Sequence, residues 1–167
     1  MGARGPRGRG RRLAPALLLL LLGTFAGAAR AGAESWGGIA PGETMRRDVQ
    51  ALYGRPSREQ TIVDEGRTAT EWVYAGDRAP RGLDRMVVSF GLIRGDRFDP
   101  EVVRSVTLFP HPHVWSLRTI TNGWGKPDGI GTEEATGRPS LHYNSGLLVI
   151  LDRTGSWAEF LLFAPRP

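Results

Sequence analysis

Residues 39–56 hold a helix with a defined start and a hard stop. Pro41-Gly42 breaks the chain before it. Thr44 suits the N-cap, because its hydroxyl can accept from an orphan amide of the first turn. Met45, Val49, Leu52 and Tyr53 follow at i, i+4, i+7 and i+8, which is one helical face. Gly54 tolerates a positive φ at the helix end, and Pro56 forbids continuation. The helix therefore covers about 44–53, with Val49 and Leu52 expected to be buried on a strand bearing Trp72 and Tyr74.

Strand patterns follow. Residues 61–63 are β-branched and run into Asp64-Glu65-Gly66, a turn signal. Residues 67–75 alternate, with Thr70, Trp72 and Tyr74 on one face. Residues 86–92 and 102–109 are two more candidates, separated by a Gly95-Asp96 turn, and 76–82 reads as a loop. The order then recurs. A helix over 113–122 buries Val114, Leu117 and Ile120, and Gly125-Lys126-Pro127 stands where Gly54-Arg55-Pro56 stood. Strands at 140–143, 147–151 and 158–163 complete the chain. The expected class is α+β: two tandem repeats, each a short helical segment followed by a three- to four-stranded antiparallel meander. The first repeat spans 34–110 and the second, more divergent, 111–167.

The amino terminus points to export. Residues 1–12 carry Arg4, Arg7, Arg9, Arg11 and Arg12 without an acid. An apolar run at 13–22 and the small-x-small sites Ala29-Arg30-Ala31 and Ala31-Gly32-Ala33 complete the pattern of a secretory signal peptide, placed at 1–33. The expected destination is the periplasm or the extracellular space. Six arginines lie in this segment. Removing them leaves 22 − 6 = 16 basic against 17 acidic side chains, so +5 becomes −1. The basicity thus belongs to the leader, and nucleic-acid binding is not expected. The sequence has no cysteine. That excludes disulfides and leaves no residue to carry a lipid anchor.

Catalytic signatures are missing. The sequence contains no Gly-x-Ser-x-Gly and no glycine-rich phosphate loop. The acid pairs Asp64-Glu65 and Glu133-Glu134 fall in turns, where burial cannot tune them. His111-Pro112-His113 and His142 are the three histidines, too few for a converging metal site without cysteine. No enzyme activity, cofactor or metal is expected. Strand alternation instead places Glu71, Arg85, Ser89, His142, Asn144, Trp157 and Glu159 on faces away from the helices, a candidate partner-binding surface that is mostly polar with an aromatic anchor.

A capped helix, Gly-x-Pro, then Trp72-Val73-Tyr74 on a strand resembles the SmpA/BamE family of small periplasmic domains. The resemblance covers 39–92, and 112–163 more loosely. It implies a binding or assembly role with another protein of the cell envelope. The tandem arrangement also resembles, in architecture, the family of the β-lactamase inhibitory protein, which implies a secreted inhibitor presenting a sheet surface to an enzyme. A small-ligand carrier using a cleft between the repeats is a third reading.

Overall fold

The computed structural model describes residues 34–64 and 66–166. The expected signal segment, 1–33, lies outside them. In chain order the elements are α1 (Arg46–Tyr53), β1 (Arg58–Asp64), β2 (Arg67–Ala75), a 3-10 turn (Gly76–Arg78), β3 (Leu83–Arg94) and β4 (Arg97–Pro110). There follow α2 (Leu117–Trp124), β5 (Gly129–Thr132), β6 (Pro139–His142), β7 (Leu147–Leu151) and β8 (Ala158–Phe163).

The strands form one antiparallel sheet in the order β1-β2-β3-β4-β8-β7-β6-β5. This overturns the expected class of two tandem helix-plus-meander repeats. The described residues form mainly a single eight-stranded sheet carrying two short helices. The decisive pairing is β4 with β8, through Val106↔Phe163, Thr107↔Leu162 and Leu108↔Leu161. Local patterning reveals hairpins between neighbours in sequence, but it carries no information on which distant strands close the gap between them. β5 was also unforeseen. No strand is expected there from the sequence, yet Ile130 and Gly131 pair with Leu141 and Ser140.

The register builds a core that crosses every inner strand. On one face Tyr74, Met86, Leu108, Leu161, Val149 and Leu141 lie side by side, and so do Trp72, Val88, Val106, Phe163 and Leu147. All of these are buried. Val49 of α1 and Ile120 of α2 complete the same cluster, so both helices cover this face.

The helices bury less than their sequence stripes suggested. Leu52 is 53% exposed, and Val114 and Leu117 are 43% and 37% exposed. α1 is anchored by Val49 and by Tyr53, whose ring stacks on Trp36 and whose hydroxyl donates to the Gly37 carbonyl at 2.8 Å. Thr44 does not cap it. The Thr44 hydroxyl accepts from the Ala40 amide of the preceding turn, and the Asp48 carboxylate takes the Met45 amide instead. α2 starts later than 113, because His113 has φ +61° and Ser116 is the cap, accepting from the Thr119 amide at 3.1 Å. Trp115 and Trp124 pack beside Ile120 where Val114 and Leu117 were expected.

Both helices end alike. The carbonyl of Gly54 accepts from the Tyr74 hydroxyl at 3.1 Å, and that of Gly125 from the Tyr143 hydroxyl at 3.2 Å. An orphan helix-end carbonyl is thereby satisfied, from within β2 by Tyr74 and from just past β6 by Tyr143, which ties each helix to the sheet.

Candidate functional site

The face opposite the helices is open. Alternation assigns it the row Arg58, Val73, Val87, Thr107, Leu162, Leu148 and His142. Beside it run Gln60, Glu71, Ser89 and Ser105 on one side, and Arg85, Phe109, Phe160, Ile150 and Ser140 on the other. Among the described residues, α1, α2 and the segment around Trp36 and Ile39 all pack on the other face.

Four of the seven sequence-derived candidates meet on this open face. Glu71 is held between neighbours, accepting from Gln60 Nε2 and from Ser89 Oγ, both at 2.8 Å. Ser89 is buried beneath that contact. The Arg85 guanidinium lies 3.9 Å from the centre of the Phe109 ring, a cation–π stack that leaves its side chain exposed. His142 sits at the far end, its Nε2 2.9 Å from Ser140 Oγ.

The other three are placed elsewhere. Glu159 forms an ion pair with Arg138 at the mouth of a cavity of about 400 Å³ that also includes Phe109, His113 and Trp157. Asn144 lies beyond the end of β6, in the turn, where its amide donates to Asp128 Oδ2 at 2.7 Å. Trp157 precedes β8, and a register shift at Ile150/Leu151 breaks the alternation that put it with Glu159. It bridges to Ser116, meets His113 edge-on at 5.1 Å, and forms one wall of an open groove of about 770 Å³ with Leu117, Ile130 and Leu141.

Asp152 organises the turn that presents Trp157. Its carboxylate accepts from the Ser156 and Trp157 amides and from the Thr154 hydroxyl. Desolvation pushes this carboxyl up, but those bonds to its charged form outweigh it and hold it below the usual carboxylate range.

The three histidines are dispersed. His111 pairs with Asp84 at 2.5 Å, His113 faces Trp157 and His142 faces Ser140. Among the described residues no group of three or more His, Asp or Glu is arranged to hold a metal ion.

The seven candidates named from the sequence leave out the apolar centre of the open face. Val87, Leu162, Leu148, Phe109 and Phe160 are half-buried there, and Val73 and Ile150 are buried by their neighbours. The signal was present in Leu147–Leu151 and in Phe160-Leu161-Leu162-Phe163, which are apolar on both faces. A strand apolar on both sides has a second surface to cover or to offer.

No family model and no curated protein matches the chain. Among solved structures it is similar to a DUF4309 family protein, YjgB, from Bacillus subtilis, with a TM-score of 0.50 and 12% identity over 81% of this chain and 88% of that one. At that identity the likeness concerns the fold alone.

Proposed function

We propose that this chain is an exported, non-catalytic protein-binding module of the cell envelope, and that the open sheet face is its docking surface. The observation that carries this reading is the half-buried apolar row Val87-Thr107-Leu162-Leu148, flanked by Phe109 and Phe160, with no described element over it. A contiguous apolar patch with a polar rim is what protein interfaces present. The similarity of the helix–Gly-x-Pro–Trp-x-Tyr segment to SmpA/BamE domains agrees with an envelope role. The glutamates Glu71 and Glu159 are each engaged by neighbours, which favours recognition over acid–base chemistry.

The test is in-cell photocrosslinking from position 162, with a probe at position 63, exposed on the edge strand β1, as the control. A protein adduct from 162 and none from the control supports docking on this face. A folded, correctly exported protein that forms no adduct from 162 would refute it. Export itself predicts a mature amino terminus at Gly32 or Glu34, read by intact mass. Mostly full-length chain in the envelope fraction would count against it.

The groove beside Trp157 favours a second reading, a carrier of a small apolar ligand. That reading requires a rise in melting temperature with such a ligand.

A further inference from the structure

We infer that the groove beside Trp157 binds a small amphipathic acid, with its apolar body on Leu117, Ile130 and Trp157 and its carboxylate on Arg118. This rests on the carrier reading of that groove given above, and it is independent of the open face.

Backbone bonds hold the groove in place. The start of α2 is stitched to the segment before β8. The Leu117 amide donates to the Ser156 carbonyl and the Ala158 amide to the Trp115 carbonyl, both at 2.8 Å. Asp152 fixes the same segment through the Ser156 and Trp157 amides. Ile130 stands beside Leu141 in the β5–β6 pairing, so the two share a face, and Leu141 is buried. A concave site of about 770 Å³ is within the range of small-molecule pockets. Ile130 is 75% exposed and Leu117 is 37% exposed, so folding leaves apolar surface in water on the walls of this groove. Covering that surface is the favourable part of binding.

The polar lining selects the sign of the ligand. Ser116, Arg118, Thr121 and Ser156 line the groove, and no carboxylate does. Arg118 is exposed and, among the described residues, forms no ion pair. Next to the lining residues in sequence stand two acids, Asp128 and Asp152, and two bases, Lys126 and Arg153. The acids accept from backbone amides, of Asn144 and of Ser156 and Trp157, and the bases match them in number. Arg118 therefore remains in excess. The other carboxylates near Trp157, those of Asp84 and Glu159, line the separate cavity of about 400 Å³. A neutral apolar ligand would draw water from the guanidinium and return nothing for it, and an ammonium would meet a like charge. A carboxylate instead gains paired, charge-assisted hydrogen bonds from an arginine.

The experiment titrates the purified protein with decanoate, dodecanoate and tetradecanoate, each beside its alcohol and its amine, below the micellar concentration. Melting temperature and Kd are read. The expected result is a rise in melting temperature with an acid, and affinity for that acid about tenfold or more above its alcohol and its amine. Arg118→Gln should weaken the acid by about tenfold and leave the alcohol unchanged, a split that misfolding could not produce. Ile130→Gln should weaken acid and alcohol alike. Acid and alcohol bound equally, with Arg118→Gln indifferent, would overturn the inference and leave the carrier reading standing. No rise in melting temperature with any of these ligands would overturn both. Binding kept in Ile130→Gln but lost in Leu162→Gln would overturn the inference by moving the ligand to the open face.

Discussion

Gly54 and Gly125 show how much one backbone conformation can decide. They leave their helices at φ 70°, ψ −156° and φ 82°, ψ −166°, a region open in practice to glycine alone. Nothing lies within 4 Å of where a Cβ would stand at either position, so a substitution there meets no steric clash. The cost of Gly54→Ala is therefore purely conformational and should be about 1–3 kcal/mol, seen as a lower urea midpoint. An unchanged midpoint would mean that the helix end relaxes freely. Tyr74, whose hydroxyl reaches the Gly54 carbonyl, is wholly buried. Burial first, and the nearby Tyr53 second, push its pKa up to about 12. The folded value lies above the ordinary one of about 10, so the contribution of Tyr74 is complete below pH 10 and is lost as pH rises toward 12. Tyr74→Phe should flatten the fall in urea midpoint across that alkaline window, at the expense of a lower midpoint at neutral pH. An equally steep fall in the variant would assign the alkaline loss to other groups.

Each helix has eight residues, too few to persist without tertiary support. Their stability comes from single anchors set into the sheet. Ile120 is fully buried, so Ile120→Ala should cost about 2–5 kcal/mol. Leu52 occupies an equally good stripe position in sequence but is 53% exposed, so Leu52→Ala should change stability by no more than about 0.5 kcal/mol. Thermal melts of the two variants decide between them. If Leu52→Ala were the more damaging, α1 would sit differently on the sheet. The outermost strands reflect a different constraint. β5 is only four residues long, and β1 carries Arg58, Glu59 and Asp64. Short or charged edges discourage pairing with other chains.

The sheet and its core are continuous across β4 and β8, so the described chain should unfold in one step. Thr107 lies in that central seam, opposite both Val87 and Leu162. Thr107→Pro removes a ladder amide from a central strand and should destabilise by ~3 kcal/mol or more. The tryptophans report on both ends of the sheet, with Trp72 on β2 and Trp124 at the end of α2. Fluorescence of variants keeping only one or the other should give coincident transitions. Two separated transitions would show that the seam does not couple the halves.

Much of this architecture can be read from local pattern. The Gly-x-Pro stops and the alternation through Trp72 and Tyr74 depend on neighbours a few residues away, and so do the apolar runs of β7 and β8. Short-range sterics and side-chain period are enough to set them. The two helices were legible as amphipathic segments, but not which of Leu52 or Tyr53 would be buried. That choice depends on Trp36 arriving from outside the helix. For the open face, Glu71, Arg85, Ser89 and His142 followed from alternation alone. Trp157 did not, because a bulge and the Asp152 turn displace it. Nor could the joining of β4 to β8 be read in advance. It merges what looked like two small sheets and gathers Val87, Leu162 and Leu148 into one apolar row. Pairing between strands so far apart along the chain is selected by the free energy of the whole packed core, which no local window of residues contains.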